Sequence, residues 1–322
     1  MLPYLLLILG FVVLIFGADY LVKGASSIAK KLKISDLIIG LTVVSFGTSA
    51  PELAVNIMAS TGGSPGMAIG NVVGSNIFNL LVIVGIAAMI RPIGLQRSLV
   101  KIEIPYAILA AFVLIAVAGD QFMGEGSGMI SRSDGITLLL FFAIFIYYIF
   151  LSAKNGQIKE EDTPKEEKVY PVMLSLFFVA GGLAALIFGG DLIVDNATEL
   201  ARGWGMSETV IGLTIVAAGT SLPELATSVM AAYRGNSEIA IGNVVGSNIF
   251  NIFLILGVSA SITPLPFARN NMADLVISAM ATILVLVLAF RGKGIRIDKK
   301  EGALLFTLYV GYVVWLLSAS PA

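Results

Sequence analysis

The chain contains no cysteine and no histidine, and only 13% of its 322 residues are charged. Each scarcity excludes a class of chemistry. Without cysteine there is no disulfide and no thiolate metal ligand. Without histidine the commonest transition-metal ligand and the usual proton shuttle are missing, and a serine nucleophile has no imidazole base. Any metal must be held by oxygen, which points to a hard cation. A soluble domain of this size carries about 25% charged residues. Here 57% of the residues are hydrophobic, the mean hydropathy is +0.94, and the apolar residues gather into long runs. The class is a polytopic membrane protein.

Ten apolar segments stand out, near residues 3–22, 36–60, 66–90, 103–119, 134–153, 171–196, 208–233, 238–262, 273–290 and 302–319. Each approaches the roughly 20 residues needed to cross a bilayer, and lipid permits only helices or closed barrels. The first run lacks a basic leader and is long enough to span, so it reads as a membrane helix and not as a signal peptide. With the amino terminus outside, 17 of the 20 basic residues fall on the inner side, as the positive-inside rule requires. The expectation is an integral, multi-pass protein of the cell membrane with both termini extracytoplasmic. The polar run KNGQIKEEDTPKEEK at 154–168 divides it. Residues 1–153 form a first five-helix repeat, 154–170 a cytoplasmic linker, and 171–322 a second repeat. An odd number of crossings per half inverts that second repeat, so the expected fold is all-α, ten transmembrane helices as two inverted five-helix repeats.

The halves share a sentence. IIGLTVVSFGTSAPELAVNIMAS from Ile38 matches VIGLTIVAAGTSLPELATSVMAA from Val210, and AIGNVVGSNIFN follows in both. The offset is 172 without a gap, and 32 of 56 positions are identical between 38–93 and 210–265. The match reaches the first helix of each half, where LIFGAD at 14–19 pairs with LIFGGD at 186–191.

Within the sentence, Glu52 and Glu224 lie at bilayer depth, where a carboxylate costs roughly 2.5–3.5 kcal/mol and is usually functional. Pro51 and Gly47 loosen the helix before Glu52 and free carbonyls around Ser45, Phe46, Gly47 and Thr48; Thr220, Ser221, Pro223 and Glu224 repeat the arrangement. Ser75 and Asn79 share a helix face, as do Ser247 and Asn251. Asn76 and Asn248 lie on another face, suited to bonding backbone between helices. Two acids, hydroxyls, amides and carbonyls suit one Ca²⁺ or several Na⁺. Other acids read as structural: Asp19 and Asp191 as caps or partners of nearby backbone, and Glu103 as a carboxylate at a helix start. An aspartyl dyad of Asp19 and Asp191 is disfavoured by their symmetric placement, and no enzyme is expected.

GTS-x-PEL followed by GNVVGSNIFN, in two inverted copies across a linker, resembles the cation/calcium exchanger superfamily, above all its prokaryotic sodium/calcium exchanger branch. The resemblance covers nearly the whole chain. It implies that helices two, three, seven and eight surround the ions while one and six slide across them, in a secondary antiporter exchanging Na⁺ for Ca²⁺ by alternating access. It implies that Glu52 and Glu224 bridge the calcium with the carbonyls of Thr48 and Thr220. Flanking sodium sites would use the carbonyls of Ser45 and Ala217 and the hydroxyls of Ser49, Ser75, Ser221 and Ser247. Asn79 and Asn251 would line the middle. Many members carry aspartate at one of those last two positions; here both are asparagine, leaving two formal charges. A proton-coupled Ca²⁺ or Mn²⁺ antiporter using the same glutamates is the alternative, and a passive cation channel a third reading. The implied partners are Ca²⁺, Na⁺ and the lipid bilayer. No other cofactor, no nucleic acid and no obligatory protein partner is expected.

Overall fold

The computed structural model describes residues 2–62, 66–119, 128–155, 169–206, 217–267, 271–291 and 294–319. Seven helices within them are long and apolar enough to cross a membrane: Leu2–Leu32 (α1), Gly66–Ile90 (α3), Leu99–Ala118 (α4), Arg132–Lys154 (α5), Val172–Gly203 (α6), Ser237–Ile262 (α8) and Asn271–Ala289 (α9). An eighth span is broken, Asp36–Thr48 followed by Ala50–Thr61 (α2). Its counterpart in the second repeat is seen as Ala217–Gly219 and Leu222–Tyr233 (α7), and Lys299–Ala319 (α10) closes the chain. The linker residues 156–168 and the expected start of the seventh helix, 208–216, lie outside the described residues. The fold is ten transmembrane helices in two inverted five-helix repeats.

Two helices are longer than the apolar runs announce. α1 has 31 residues and α6 has 32. At 1.5 Å per residue each is about 46–48 Å long, well beyond a ~30 Å hydrocarbon core. Polar helix formers carry each past the apolar run until a left-handed residue stops it. In α1 this is Lys33 (φ 56), with Ile34 N–H reaching Ala29 O at 3.1 Å; in α6 it is Gly205 (φ 82), with Met206 N–H reaching Ala201 O at 3.1 Å. The stops are 172 residues apart. Lys23, Lys30 and Lys31 therefore sit on a helix and not in a loop.

α1 and α6 pack antiparallel along a seam of small residues. A Cβ on Gly10 would lie 3.1 Å from Gly189 O, one on Gly17 3.0 Å from Gly182 O, and one on Gly24 2.7 Å from Ser175 O. The backbones touch at seven-residue intervals, a close approach that only small residues permit. This pair is peripheral, with about a third of each span buried, whereas the spans of α3 and α8 are 78% and 94% buried. The core is therefore α3 and α8, flanked by α2 and α7.

Two short antiparallel pairings tie the repeats together at opposite ends. Ile93–Gly94 (β1) pairs with Arg296–Ile297 (β4), and Met129–Ile130 (β2) with Leu265–Pro266 (β3). The offset of 172 carries β1 onto β3. Ser35 and Asn236 cap α2 and α8 by accepting Ile38 N–H at 3.2 Å and Ile239 N–H at 3.1 Å.

Two of the acids expected to be structural are placed differently. Asp19 pairs with side-chain cations rather than nearby backbone: Lys23 Nζ lies 2.7 Å away, and the Arg234 guanidinium also bonds it. The length of α1 provides this, since Lys23 follows one turn later on the same helix. Glu103 does not open a helix. The helix begins before it with a wide turn, Leu99–Glu103, which puts the carboxyl inside the protein, fully buried, accepting the Tyr148 hydroxyl at 2.6 Å.

Candidate ion-binding site

α2 breaks at Ser49, and its two pieces meet at a bend of 44°. Pro51 falls in the first turn of the second piece, where its missing N–H costs nothing. Pro223 does the same in α7. Each break puts a glutamate in the first turn of the helix that follows, Glu52 and Glu224, both 1% exposed. A carboxylate there faces free N–H groups and the positive end of the helix dipole.

α3 and α8 carry a feature that propensity does not announce. Each widens in mid-membrane into a turn of π type, Asn79–Ile83 and Phe250–Leu256. Such turns recur at functional sites because they redirect one side chain and loosen the carbonyl ladder. Here they hold Asn79 and Asn251. The turn beginning at Asn79 packs on the helix of Glu224, and the turn containing Asn251 packs on the helix of Glu52.

The hydroxyls also cross between repeats. Ser49 Oγ donates to Glu224 Oε1 at 3.0 Å and lies 3.0 Å from Ser247 Oγ. Ser221 Oγ donates to Glu52 Oε1 at 3.4 Å. Each carboxylate is thus held by the serine of the other repeat's motif. Ser75 is buried with its hydroxyl unpartnered among the described residues. Thr48 donates to Asn243 Oδ1 at 3.1 Å, whereas the Thr220 hydroxyl has no partner among the described residues. The Ser45 carbonyl accepts Ser49 N–H at 3.0 Å, and its hydroxyl lies 2.7 Å from Gly40 O and 3.0 Å from Asn243 O. Ala217 opens the described part of α7.

Polar residues outside the expected set complete the surroundings. Asn243 donates to Ser228 Oγ at 3.0 Å and to Glu224 O at 3.3 Å. On the other side Asn56 takes over the second role, donating to Glu52 O at 2.8 Å. Asn76 and Asn248 bond each other's backbone carbonyls, as their helix face suggested. The signal for Asn243 was present in the AIGNVVGSNIFN stretch, which keeps this asparagine in both copies. Asn56 gave none, because its repeat counterpart is Ser228.

Beside these hydroxyls, four acceptor oxygens of the repeated acids and amides are left over. Glu52 Oε2, Glu224 Oε2, Asn79 Oδ1 and Asn251 Oδ1 are buried and accept no hydrogen bond among the described residues. No described lysine or arginine forms an ion pair with either glutamate. A buried charge without a partner costs several kcal/mol. Two carboxylates without a cationic partner, each with one oxygen free of donors, and two amide carbonyls, related by the repeat, form an environment complementary to a cation.

Residues 2–151 and 174–318 match the model of the sodium/calcium exchanger protein family. The chain belongs to this family. Among its relatives, the sodium/calcium exchanger MaX1 of Methanosarcina acetivorans is 36% identical over 343 aligned positions, covering 97% of this chain and 98% of that one. The inner membrane protein YrbG of Escherichia coli is 36% identical, covering 97% and 94%. Among solved structures, the sodium-calcium exchanger NCX_Mj soaked with 2.5 mM Na⁺ and 0.1 mM Ca²⁺ superposes with a TM-score of 0.81 at 32% identity, covering 98% of both chains. The same exchanger soaked without either ion also gives 0.81. This family member is an integral, multi-pass membrane protein.

Proposed function

We propose that the protein exchanges Na⁺ for Ca²⁺ across the membrane, with Glu52 and Glu224 as the acids that both ions occupy in turn. The observation that carries this reading is the set of four buried acceptor oxygens without donors. Calcium takes 6–8 oxygens in flexible geometry. The two carboxylates and the amides of Asn79 and Asn251 supply the core of such a set. The hydroxyls of Ser49, Ser75, Ser221 and Ser247 and the carbonyls of Ser45, Thr48, Ala217 and Thr220 are the neighbouring ligands for calcium and sodium. The sodium and calcium named in the relatives and in the solved exchanger support the choice of ions.

Coupling follows from electrostatics. Empty, the site holds two negative charges in a low-dielectric interior, and moving it across the hydrocarbon in that state is costly. One Ca²⁺ or two Na⁺ neutralise those charges. Only the loaded forms cross readily, and loading from opposite sides is exchange. The cargo ions are the only bound groups this scheme needs.

The distribution of basic residues supports a topology with both termini outside and the 154–170 linker in the cytoplasm, between repeats spanning 1–153 and 171–322. The decisive experiment measures ⁴⁵Ca²⁺ uptake by proteoliposomes under imposed Na⁺ and H⁺ gradients. Uptake should follow an outward Na⁺ gradient and ignore a pH gradient. Uptake driven by pH alone would transfer the coupling to protons.

A further inference from the structure

We infer that Asn76 and Asn248, neither of them an ion ligand, are positioning residues that force Asn79 and Asn251 to offer carbonyl oxygens to the cation. This rests on the exchange reading above and adds a mechanism for it. An asparagine amide has a donor end and an acceptor end of nearly equal shape. Beside a carboxylate, an unrestrained amide turns its NH₂ toward the negative charge. It would then occupy the carboxylate with hydrogen bonds and oppose a cation. Something must hold the amide the other way round.

The hydrogen bonds form a chain whose polarity has one solution. A backbone carbonyl can only accept. Asn248 Nδ2 bonds the carbonyl of Asn76 at 3.4 Å, so the NH₂ end of Asn248 lies on that side and its Oδ1 on the other. That Oδ1 can only accept, and Asn79 Nδ2 donates to it at 3.0 Å. The NH₂ of Asn79 is thereby engaged, and its Oδ1 is left without a donor. The mirror chain starts from the carbonyl of Asn248, which Asn76 Nδ2 bonds at 3.3 Å. Asn76 Oδ1 then accepts from Asn251 Nδ2 at 3.0 Å, leaving Asn251 Oδ1 without a donor. Reversing any one amide sets two acceptors or two donors face to face. Four asparagines and two backbone carbonyls, crossing between the repeats, thus fix both amides.

The pairing is crossed, and this makes it testable. Asn248 holds Asn79, and Asn76 holds Asn251. Asn248→Leu removes the side chain that orients Asn79 but keeps the backbone carbonyl that orients Asn76, so Asn251 stays held. Partners that orient a metal ligand typically contribute roughly 10–100-fold in affinity. The experiment is a double-mutant cycle on ⁴⁵Ca²⁺ binding to the purified full chain in detergent. The set is N79L, N248L, N251L, N79L/N248L and N251L/N248L, with N76L and N76L/N251L for the mirror pair and thermal melting as a control for folding.

N248L should weaken Ca²⁺ binding by roughly 10-fold or more. N79L/N248L should bind no more weakly than N79L alone, within about threefold. N251L/N248L should show the product of its two single effects. N76L and N251L should couple in the same way as N248L and N79L. Where N248L fails to fold, the smaller N248A takes its place in the cycle. Unchanged affinity in N248L, or equal coupling of N248L to both N79L and N251L, would overturn the proposal. Failure of the exchange reading looks different: the wild-type protein itself would bind no ⁴⁵Ca²⁺ in competition with Na⁺.

Discussion

The Asp19 carboxylate on α1 is bonded by the guanidinium of Arg234, which follows α7 in the other repeat. Lys23 completes the cluster at 2.7 Å. The repeat offset carries Asp19 onto Asp191, Lys23 onto Asp195 and Arg234 onto Gly62. One end of the molecule therefore has an acid between two cations, while the symmetric position has an exposed acid one turn from another acid. The same substitution at the two positions should have opposite signs. Asp19→Asn should lower the melting temperature in detergent, by an amount corresponding to at most about 1 kcal/mol for a partly exposed ion pair. Asp191→Asn should leave it unchanged or raise it slightly, since a like-charge pair four residues apart costs about 0.2–0.5 kcal/mol. Equal losses at both positions would mean that the cluster contributes nothing.

Removing charge from the centre should separate stability from function. Glu224→Gln relieves a buried, unpaired carboxylate and should melt higher than the wild type in chelator. Added Ca²⁺ should stabilise the wild type by about 2.7 kcal/mol at a hundred times its dissociation constant. In Glu224→Gln and Glu52→Gln that increment should vanish together with Na⁺-driven uptake. A calcium-dependent melting shift retained in both variants would place the ion elsewhere.

The two serines that hold the glutamates are not equivalent. Ser49 is 3.0 Å from its carboxylate and touches Ser247 as well, while Ser221 is 3.4 Å from its own. A hydrogen bond to a charged group is worth about 1.5–3 kcal/mol, and less as it lengthens. Half-saturation for Ca²⁺ should therefore rise more in Ser49→Ala than in Ser221→Ala. The reverse order in a ⁴⁵Ca²⁺ titration would contradict the geometry.

The seam between α1 and α6 predicts contrasting effects at adjacent glycines. A Cβ at Gly182 would lie 2.7 Å from Leu21 N and 2.8 Å from Gly17 O, whereas one at Gly181 meets nothing within 4 Å. Gly182→Ala should cost about 1–3 kcal/mol through overpacking against backbone that cannot yield. Gly181→Ala should gain up to about 1 kcal/mol from helix propensity. Thermal melts of the two variants, side by side, decide the matter.

Much of the core was legible in one dimension. Glu52 and Glu224 stood out because acids are expensive in lipid and these recur in register. The motif spacing placed Ser75 beside Asn79, and Ser247 beside Asn251, on shared helix faces. The helix face of Asn76 and Asn248 directs them to backbone, and each amide nitrogen bonds the other's carbonyl. Helix ends were harder, because an apolar run reports hydrocarbon and not where hydrogen bonding stops. α1 therefore continues to Leu32, and Lys23 becomes a partner of Asp19. The wide turns at Asn79 and before Glu103 left no trace in composition, since they depend on what each helix packs against.

Hydropathy, charge placement and the duplicated sentence were enough to establish ten helices, their inversion and the two acids at the centre. They suffice because the bilayer imposes its costs on each segment separately. Which atoms of those residues face one another was settled by assembly. Ser49 meets Glu224 and not Glu52, Asn243 accepts from Thr48, and Asn79 shows its oxygen because Asn248 accepts from its nitrogen. Hydrogen-bond polarity across two crossing repeats depends on three-dimensional contact between residues about 170 positions apart, and no local pattern encodes it.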